Sequence, residues 1–379
     1  MRKVEKIIQT LDVEGNCLGV YSDGEFYFNE FSNQISDKNL CWKHSPVFEK
    51  DEENTYLSLY DASTPLLQYS ANPGSLRACD DLMRAQKKAA VTAKLDFSEL
   101  CFYDIIPDHL LKNWFALRES AMKRLNQEVQ RPSDYDILHK IHVLIENISK
   151  QKLMVAQSVN YVKYDMFSSA TGRLATSRGS YPILNISKKE REMITPQNDM
   201  FLELDINGAE IRTLLAFSGV EQPTEDIHLW NMKEQPPWLT RKEAKEQFFA
   251  WLYNPKAENK IYEKHYNKDA YLQHFDGSTI STPFGRSLAV DDRRALNYLL
   301  QSTTSDIVLE NSYKIMKRLK GLKSFVAFTM HDSVVLDFSR EEHHLVSEIQ
   351  QIFEENLFGR FLSTISIGKN FGNLKEISI

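Results

Sequence analysis

Two aspartates stand beside short apolar runs, where folding can bring carboxylates together. Asp205 ends the run Leu202-Glu-Leu-Asp205, and Asp332 lies between two apolar runs. Two neighbouring carboxylates repel each other, and a divalent cation relieves that repulsion. Two Mg²⁺ ions held in this way support in-line phosphoryl transfer. The alternative is structural: Asp205 caps the next helix, and His331-Asp-Ser333 is a polar turn.

A second pattern combines cations with aromatic rings. Arg241, Lys245, Phe249 and Tyr253 are four residues apart, so on a helix they form one stripe. Such a stripe can hold a triphosphate at its cationic end and stack a base at its aromatic end. The alternative is an ordinary amphipathic helix with solvated cations and buried aromatics.

The elements that carry these residues follow from local signals. Around Ser22-Asp-Gly-Glu25, an Asp-Gly pair between two short apolar runs predicts a β-hairpin. The turn residues of Ser63–Ser75 predict a domain boundary. Apolar residues at helical spacing predict helices over 108–118 and 137–153, which we expect to form an antiparallel helical hairpin.

Composition and charge limit the class of protein. The chain has 379 residues, 42% hydrophobic and 26% charged, as in ordinary globular proteins. The net charge is −6. This balance excludes a basic tail that coats nucleic acid, but local basic clusters act independently because exposed charges are screened within about 10 Å. We expect no transmembrane helix and no signal peptide.

The cysteines and two basic clusters add little specificity. Cys17, Cys41, Cys79 and Cys101 form no CxxC pair, which predicts reduced thiols rather than a zinc site. Basic residues cluster at 83–94 and at 187–191. Each cluster is either a solvated face or a contact with nucleic-acid phosphates, and phosphate contacts make binding fall steeply with salt.

Taken together and in order, these segments resemble family A DNA polymerases, the bacterial DNA polymerase I type. Asp205–Arg212 resembles motif A, Arg241–Tyr253 resembles motif B, and Met330-His-Asp332 resembles motif C. Further blocks that resemble the family are Thr171–Thr176 with Pro182–Ile186, Asp226-Ile-His228, and Arg293–Gln301 with Ser305–Ile307.

The resemblance implies an α+β fold of the right-hand polymerase type, with an antiparallel sheet in the palm and helical fingers and thumb. A small N-terminal β-rich domain precedes it. The implied domains are 1–75 (N-terminal accessory), 76–160 (thumb), 161–215 (first part of the palm), 216–285 (fingers) and 286–379 (second part of the palm).

The resemblance also implies roles for individual residues. The implied catalytic residues are Asp205, Asp332 and Lys245, and the implied metal ligands are Asp205, Asp332 and the carbonyl of Ile206. The implied nucleotide site comprises Arg241, Lys245, His228, Phe249, Tyr253, Glu210 and Ile206. The implied contacts with DNA are Arg173, Arg293, Asn297, Gln301 and His331.

The implied activity is dNTP addition to a primer on a DNA template, with two Mg²⁺ ions for which Mn²⁺ can substitute. We expect a phage-type lineage and a cytoplasmic location, in the host if the chain is viral. Asp12-Val-Glu14 is similar to an exonuclease motif, but a turn is the better interpretation, so we expect no proofreading. The N-terminal domain is a candidate contact for a replication accessory protein, and no membrane is expected.

The chain departs from the family pattern at several positions. Ser333 replaces the usual Glu after motif C, and motif A has Ile-Asn-Gly-Ala in place of Tyr-Ser-Gln-Ile. His-Asp-Ser also occurs in single-subunit RNA polymerases, whereas Glu210 favours a DNA enzyme because RNA synthesis needs room for the 2′-hydroxyl. A non-catalytic nucleic-acid-binding descendant would have lost Asp205, Asp332 or Lys245, and all three are present.

Overall fold

The structure is a computed structural model that describes residues 8–10, 19–22, 24–28, 66–95, 102–128, 132–254 and 256–377. The chain divides into two compact units, Met1–Tyr135 and Asp136–Ile379. This boundary falls inside the segment 76–160 that was expected to form a thumb. The division into thumb, palm and fingers therefore stays a prediction.

The first unit contains a three-stranded antiparallel sheet of β1 (Ile8–Thr10), β2 (Gly19–Ser22) and β3 (Glu25–Phe28). Ser22 pairs with Glu25 across the turn, which confirms the predicted hairpin. Gly24 has a φ of +90°, a conformation that favours glycine. The exonuclease-like residues Asp12 and Glu14 lie outside the described residues.

Two α-helices lie in the described residues of this unit, α1 (Pro73–Thr92) and α2 (Asp108–Glu128). Helix α1 begins with Pro73 and is capped by the side chain of Asn72, which accepts a hydrogen bond from the Ser75 N–H. Cys79 of α1 is a buried free thiol, and the other three cysteines are outside the described residues.

The second unit carries the candidate site. Its helices are α3 (Tyr135–Ile148), α4 (Lys188–Arg191), α5 (Ala209–Phe217), α6 (Ile227–Met232), α7 (Arg241–Leu252), α8 (Asp292–Arg318) and α9 (Val346–Glu354). Helix α3 ends at Ile148, and Leu153 lies in a strand, so the helix predicted over 137–153 was too long. The residues after Ile148 pair with a neighbouring strand, and that pairing overrides the helical spacing.

The strands of the second unit are all antiparallel. They are β4 (Lys152–Val155), β5 (Ser158–Tyr161), β6 (Tyr164–Asp165), β7 (Ala175–Thr176), β8 (Ile194–Thr195), β9 (Met200–Ile206), β10 (Thr279–Ser281), β11 (Ser287–Ala289), β12 (Phe325–Met330), β13 (Ser333–Phe338), β14 (Glu355–Asn356), β15 (Gly359–Arg360), β16 (Ser363–Gly368) and β17 (Lys375–Ile377). The largest sheet has five strands in the order β12-β13-β9-β16-β17. Helices combined with this antiparallel sheet confirm the α+β class.

The central strands are largely buried, and β9 has one fully apolar face. Leu202, Leu204 and Ile206 of β9 are buried, as is the whole of β13. The long helix α8 is buried over most of its length, and inside it Asp306 pairs with Arg286 at 2.9 Å. None of the helices that the structure describes is both long and apolar enough to cross a bilayer.

Candidate active site

The five-stranded sheet places Asp205 and Asp332 side by side. Asp205 lies near the end of β9, and Asp332 lies in the two-residue turn between β12 and β13. Because β13 pairs with β9, Ser333 is directly opposite Asp205. The Ile206 N–H donates a hydrogen bond to the Asp332 carbonyl oxygen at 3.2 Å. Residues 127 positions apart in the sequence therefore meet at one edge of the sheet.

The turn that carries Asp332 has an unusual backbone. His331 has a φ of +39°, although it has a side chain and is exposed. A positive φ is uncommon outside glycine and is found at sites where surrounding structure enforces it. Here the pairing of Met330 with Ser333 leaves only His331 and Asp332 to reverse the chain.

The negative charges of Asp205, Asp332 and Glu203 at this sheet edge repel one another. The pKa of the Asp205 carboxyl is raised to about 7, first by burial and then by the negative charges of Asp332 and Glu203, while Lys245 acts in the opposite direction. A carboxylate with these neighbours is stabilised by a bound cation. The influence of Lys245 also shows that helix α7 brings a positive charge toward the same edge.

Glu203 is a residue that the sequence analysis missed. It lies two positions before Asp205 on the same face of β9, and its Oε1 accepts a hydrogen bond from the Ser333 Oγ at 3.0 Å. Burial raises its pKa, and the charge of Asp332 adds to the effect. The two-residue period of a strand was the signal that could have identified it.

The donor set of the site consists of oxygen atoms. Among the residues that the structure describes, no three or more His, Cys, Asp or Glu side chains are grouped so that they could hold a metal ion. Mg²⁺ is commonly held by one or two protein carboxylates together with substrate phosphates and water. The adjacent Asp205 and Asp332 carboxylates fit that mode, and a role for the Ile206 carbonyl stays a prediction.

The raised pKa of Asp205 gives an expected pH dependence of stability. The folded state holds the Asp205 proton up to pH 7, whereas an unfolded aspartate loses it near pH 4. Folding therefore binds a proton, and the stability of the metal-free protein falls as pH rises from about 4 to 7. In EDTA at pH 8, Asp205→Asn should be more stable than the wild type by on the order of 2 kcal/mol.

This effect is measured by urea unfolding of both proteins at pH 5 and pH 8. The difference between them should appear only at the higher pH, and Mg²⁺ should reduce it by stabilising the wild type. Equal differences in the free energy of unfolding at both pH values would show that the charge of Asp205 does not destabilise the folded protein.

Helix α7 presents the predicted stripe to its accessible side. Its N-terminus is capped by Thr240 and Glu243, which bond each other's backbone N–H groups. The helix packs through other residues, Ala244, Phe248, Trp251 and Leu252, which are buried. Arg241 and Lys245 are exposed and Phe249 is half-buried. The buried-aromatic alternative therefore does not describe Phe249 and Tyr253.

The aromatic end of the stripe contacts motif A. Tyr253 directly follows α7, stacks on Phe249 with ring centroids 6.0 Å apart, and donates a hydrogen bond from its hydroxyl to the Glu210 carboxylate. Glu210 and Tyr253, which the resemblance assigns to one nucleotide site, are thus in contact. Burial and the Glu210 charge raise the pKa of the Tyr253 hydroxyl, so it remains a donor. Arg173 Nη2 donates to Glu210 Oε1 at 2.6 Å.

The cationic end of the stripe is engaged with protein groups. Arg241 Nη2 donates to Asp226 Oδ2 at 2.6 Å, although the Arg241 side chain is half exposed. His228 is buried, and burial lowers its pKa to about 4, with Asp226 opposing and Arg241, Lys245 and Arg212 adding to the decrease. His228 is therefore neutral at pH 7 and can offer a phosphate a hydrogen bond but no charge.

The remaining residues predicted to contact DNA fall into one group on α8 and one isolated residue. Arg293, Asn297 and Gln301 are four residues apart and share one face near the start of α8. Arg293 is exposed, Asn297 and Gln301 are half-buried, and Asn297 Oδ1 has no hydrogen-bond partner in the structure. His331 lies apart from them, beside Asp332 in the turn. Their contacts with DNA stay predictions.

Comparisons with known proteins found one similar sequence and similar solved structures. No protein-family model matches the chain. A curated relative, a DNA polymerase of Bacillus phage SP01, is 34% identical over 101 residues, which cover 23% of this chain and 11% of the relative. Among solved structures, the POL domain of Pol1 from M. smegmatis, in complex with DNA primer-template and dNTP, has a TM-score of 0.47 at 16% identity.

That alignment covers 81% of this chain and 66% of the Pol1 chain. The chain thus spans less than two thirds of the length of each protein. The sequence match to the phage enzyme supports the resemblance to a divergent DNA polymerase of the family A type.

Proposed function

We propose that this chain is a template-directed DNA polymerase that adds dNTPs to a primer 3′ end by two-metal phosphoryl transfer, in phage DNA replication. The observation that carries the proposal is the pairing of β9 with β13, which sets Asp205 beside Asp332 at an accessible sheet edge. A helix with a cationic and aromatic stripe is joined to the same segment through Tyr253 and Glu210.

The protein's contribution to this chemistry is positioning and charge. Asp205 and Asp332 would hold two Mg²⁺ ions, which would supply the positive charge that activates the primer 3′-hydroxyl and offsets the charge of the phosphates. Lys245 supplies a positive charge to the triphosphate and, as an ammonium, can donate a proton to the leaving pyrophosphate. Phe249 and Tyr253 stack against the base.

Arg241 can take part in phosphate binding while paired with Asp226. A guanidinium has five N–H donors, and the contacts with Asp226 use only Nε and Nη2 of Arg241. Its side chain is half exposed, so the remaining donors are accessible to a phosphate oxygen. In this proposal, Arg241 and Lys245 hold the triphosphate and neutral His228 adds a hydrogen bond.

Primer and template would be held by contacts that do not specify sequence. Arg173 and Gln301 are suited to the minor-groove acceptors that all base pairs share, because their side chains are hydrogen-bond donors. Arg293, Asn297 and His331 would contact the strands near the new pair. The dNTP, the primer-template and a replication accessory protein at the N-terminal domain are the proposed partners.

Primer extension tests the proposal. A labelled primer on a DNA template is incubated with the protein, Mg²⁺ or Mn²⁺, and either dNTPs or NTPs. Template-dependent extension with dNTPs is expected. Extension with NTPs alone would instead favour the RNA-polymerase alternative suggested by His331-Asp-Ser333. Tight primer-template binding without any extension would favour a non-catalytic descendant.

We also expect no 3′→5′ exonuclease activity from this chain. The sequence carries a single exonuclease-like motif, at Asp12 and Glu14, and such hydrolysis requires several carboxylates to hold its metal ions. A mismatched, end-labelled primer should stay full length with Mg²⁺ and no dNTP. Shortening that persists in Asp205→Asn and disappears in Asp12→Ala would contradict this expectation.

A further inference from the structure

The buried side chain of Asn207 joins the end of β9 to the start of α6. Its Nδ2 donates to Asp226 Oδ2 at 2.7 Å, and its Oδ1 accepts the Ile227 N–H at 2.7 Å. Arg212 Nη2 also donates to Oδ1, at 3.3 Å. Asn207 is 8% exposed, so these bonds are shielded from water. The amide nitrogen and the amide oxygen of Asn207 therefore both have hydrogen-bond partners.

Asp226 in turn bonds to two helices, α6 and α7. Its Oδ1 accepts the backbone N–H groups of His228 and Leu229, both at 2.9 Å, which caps α6. Its Oδ2 accepts hydrogen bonds from Asn207 Nδ2 at 2.7 Å and from Arg241 Nη2 at 2.6 Å. Burial alone would raise the pKa of this carboxyl, but its hydrogen bonds and the Arg241 charge lower it to about 2. Asp226 is therefore charged at any pH of interest.

A buried arginine fixes the geometry around Asn207. Arg212 is fully buried, and its Nε donates to the Asn207 carbonyl oxygen at 2.8 Å. Its other nitrogens donate to the carbonyls of Pro223 and Glu225, at 3.0 and 2.7 Å. The backbone that leads to Asp226 is thereby tied to the residue that follows β9. Asn207 and residues 223–225 therefore cannot move apart without breaking hydrogen bonds of Arg212.

Helix α7 is consequently attached to one short segment at both of its ends. At the N-terminal end, Asn207 contacts Asp226, which holds Arg241. At the C-terminal end, Glu210 accepts the Tyr253 hydroxyl. Residues 207–210 begin two positions after Asp205, so these two attachments connect the stripe on α7 to the segment that leaves the carboxylates.

We propose that Asn207 is a positioning residue for the nucleotide: by orienting Asp226, it places Arg241 at the triphosphate end of the site. The inference rests on the proposed function. Asparagine suits this role because one side chain donates to Asp226 while it accepts from Ile227 and Arg212.

The test compares dNTP kinetics of Asn207→Ala with those of a matched control. Loss of one hydrogen bond to a charged group should raise the KM for dNTP about tenfold, with a smaller change in kcat, because Arg241 loses its fixed position. Asn311 provides the control: it is also a buried amide, and its Nδ2 donates to the Phe353 carbonyl. Asn311→Ala should lower the melting temperature and leave this KM unchanged.

Asn207→Ala is also combined with Arg241→Ala, because this double variant distinguishes a positioning role of Asn207 from a general loss of stability. In the Arg241→Ala background, Asn207→Ala should add no further increase in KM, because both act through the same contact. An equal increase with and without Arg241, or no increase in the wild-type background, would overturn the inference.

A wild-type protein that does not extend primers would refute the proposed function instead. Amide hydrogen exchange then decides the positioning inference. Faster exchange at Ile227–Leu229 in Asn207→Ala, but not in Asn311→Ala, would support the linkage. Unchanged exchange in both variants would refute it.

Discussion

Asp332→Asn should reduce primer extension by at least about a thousandfold while primer-template affinity changes less than about threefold. The substitution keeps the size of the side chain and removes the charge that a metal ion requires. Asp205 alone would then supply a single carboxylate, and a divalent cation is held more weakly by one carboxylate than by two. Binding of DNA depends on contacts elsewhere, so it should persist.

The same hairpin offers a matched control for this variant. Asp337 is a buried carboxylate of β13 that accepts the N–H groups of Gln197 and Asn198, at 2.6 and 2.8 Å. Asp337→Asn should cost on the order of 1–2 kcal/mol of stability and leave extension by the folded protein intact. Extension rates come from single-turnover assays, and affinities from fluorescence anisotropy. Near-normal extension by Asp332→Asn would remove the basis for a two-metal site.

The elements around Asp205 and Asp332 could be anticipated from local signals, whereas the meeting of the two residues was expected only from the resemblance because it depends on the long-range pairing of β9 with β13. Each aspartate adjoins an apolar run of strand length, and a polar dipeptide between two such runs predicts a hairpin. The stripe on α7 could be anticipated for the same reason, since helical spacing alone defines it. Burial of Phe248 and Trp251, while Arg241 and Lys245 are exposed, then shows which side of α7 packs against the protein.

Other features depend on tertiary contacts and could not be anticipated. His228 was expected to hold phosphate, and its low pKa results first from burial and then from the charges of Arg241, Lys245 and Arg212, against the opposing effect of Asp226. The ion pair of Arg241 with Asp226 joins residues whose proximity no local pattern indicates. Glu203 is intermediate: strand alternation places it beside Asp205, but only the register with β13 brings it to Ser333.

Gly208 shows how a departure from the family pattern can be a packing requirement. It has a φ of +61°, and a Cβ at this position would lie 2.4 Å from Ile227 Cγ2. A larger residue would push α6 away from the end of β9. Asn207 and Gly208, which both differ from the family pattern, therefore act on the same residue: Gly208 allows Ile227 to approach closely, and Asn207 accepts its N–H.

The contact between Glu210 and Tyr253 has a consequence for the sugar of the incoming nucleotide. Glu210 lies in the first turn of α5, five residues after Asp205, and under the proposed function it would face the sugar of the incoming nucleotide. Tyr253 and Arg173 both bond its carboxylate, which fixes the side chain from two sides. A fixed side chain is an effective steric barrier because packed groups yield only at high cost.

Glu210→Ala should therefore raise incorporation of ribonucleotides relative to deoxynucleotides by about a hundredfold, at some loss of overall rate. Removal of the carboxylate opens the space that a 2′-hydroxyl needs and releases Tyr253. Glu210→Gln keeps the volume and should retain most of the discrimination. Glu246→Ala, an exposed change on α7, is the control that should not alter the ratio. The measurement is kcat/KM for matched NTP and dNTP pairs. An unchanged ratio in Glu210→Ala would exclude a steric role for Glu210, and a wild type that already prefers NTPs would establish the RNA-polymerase alternative.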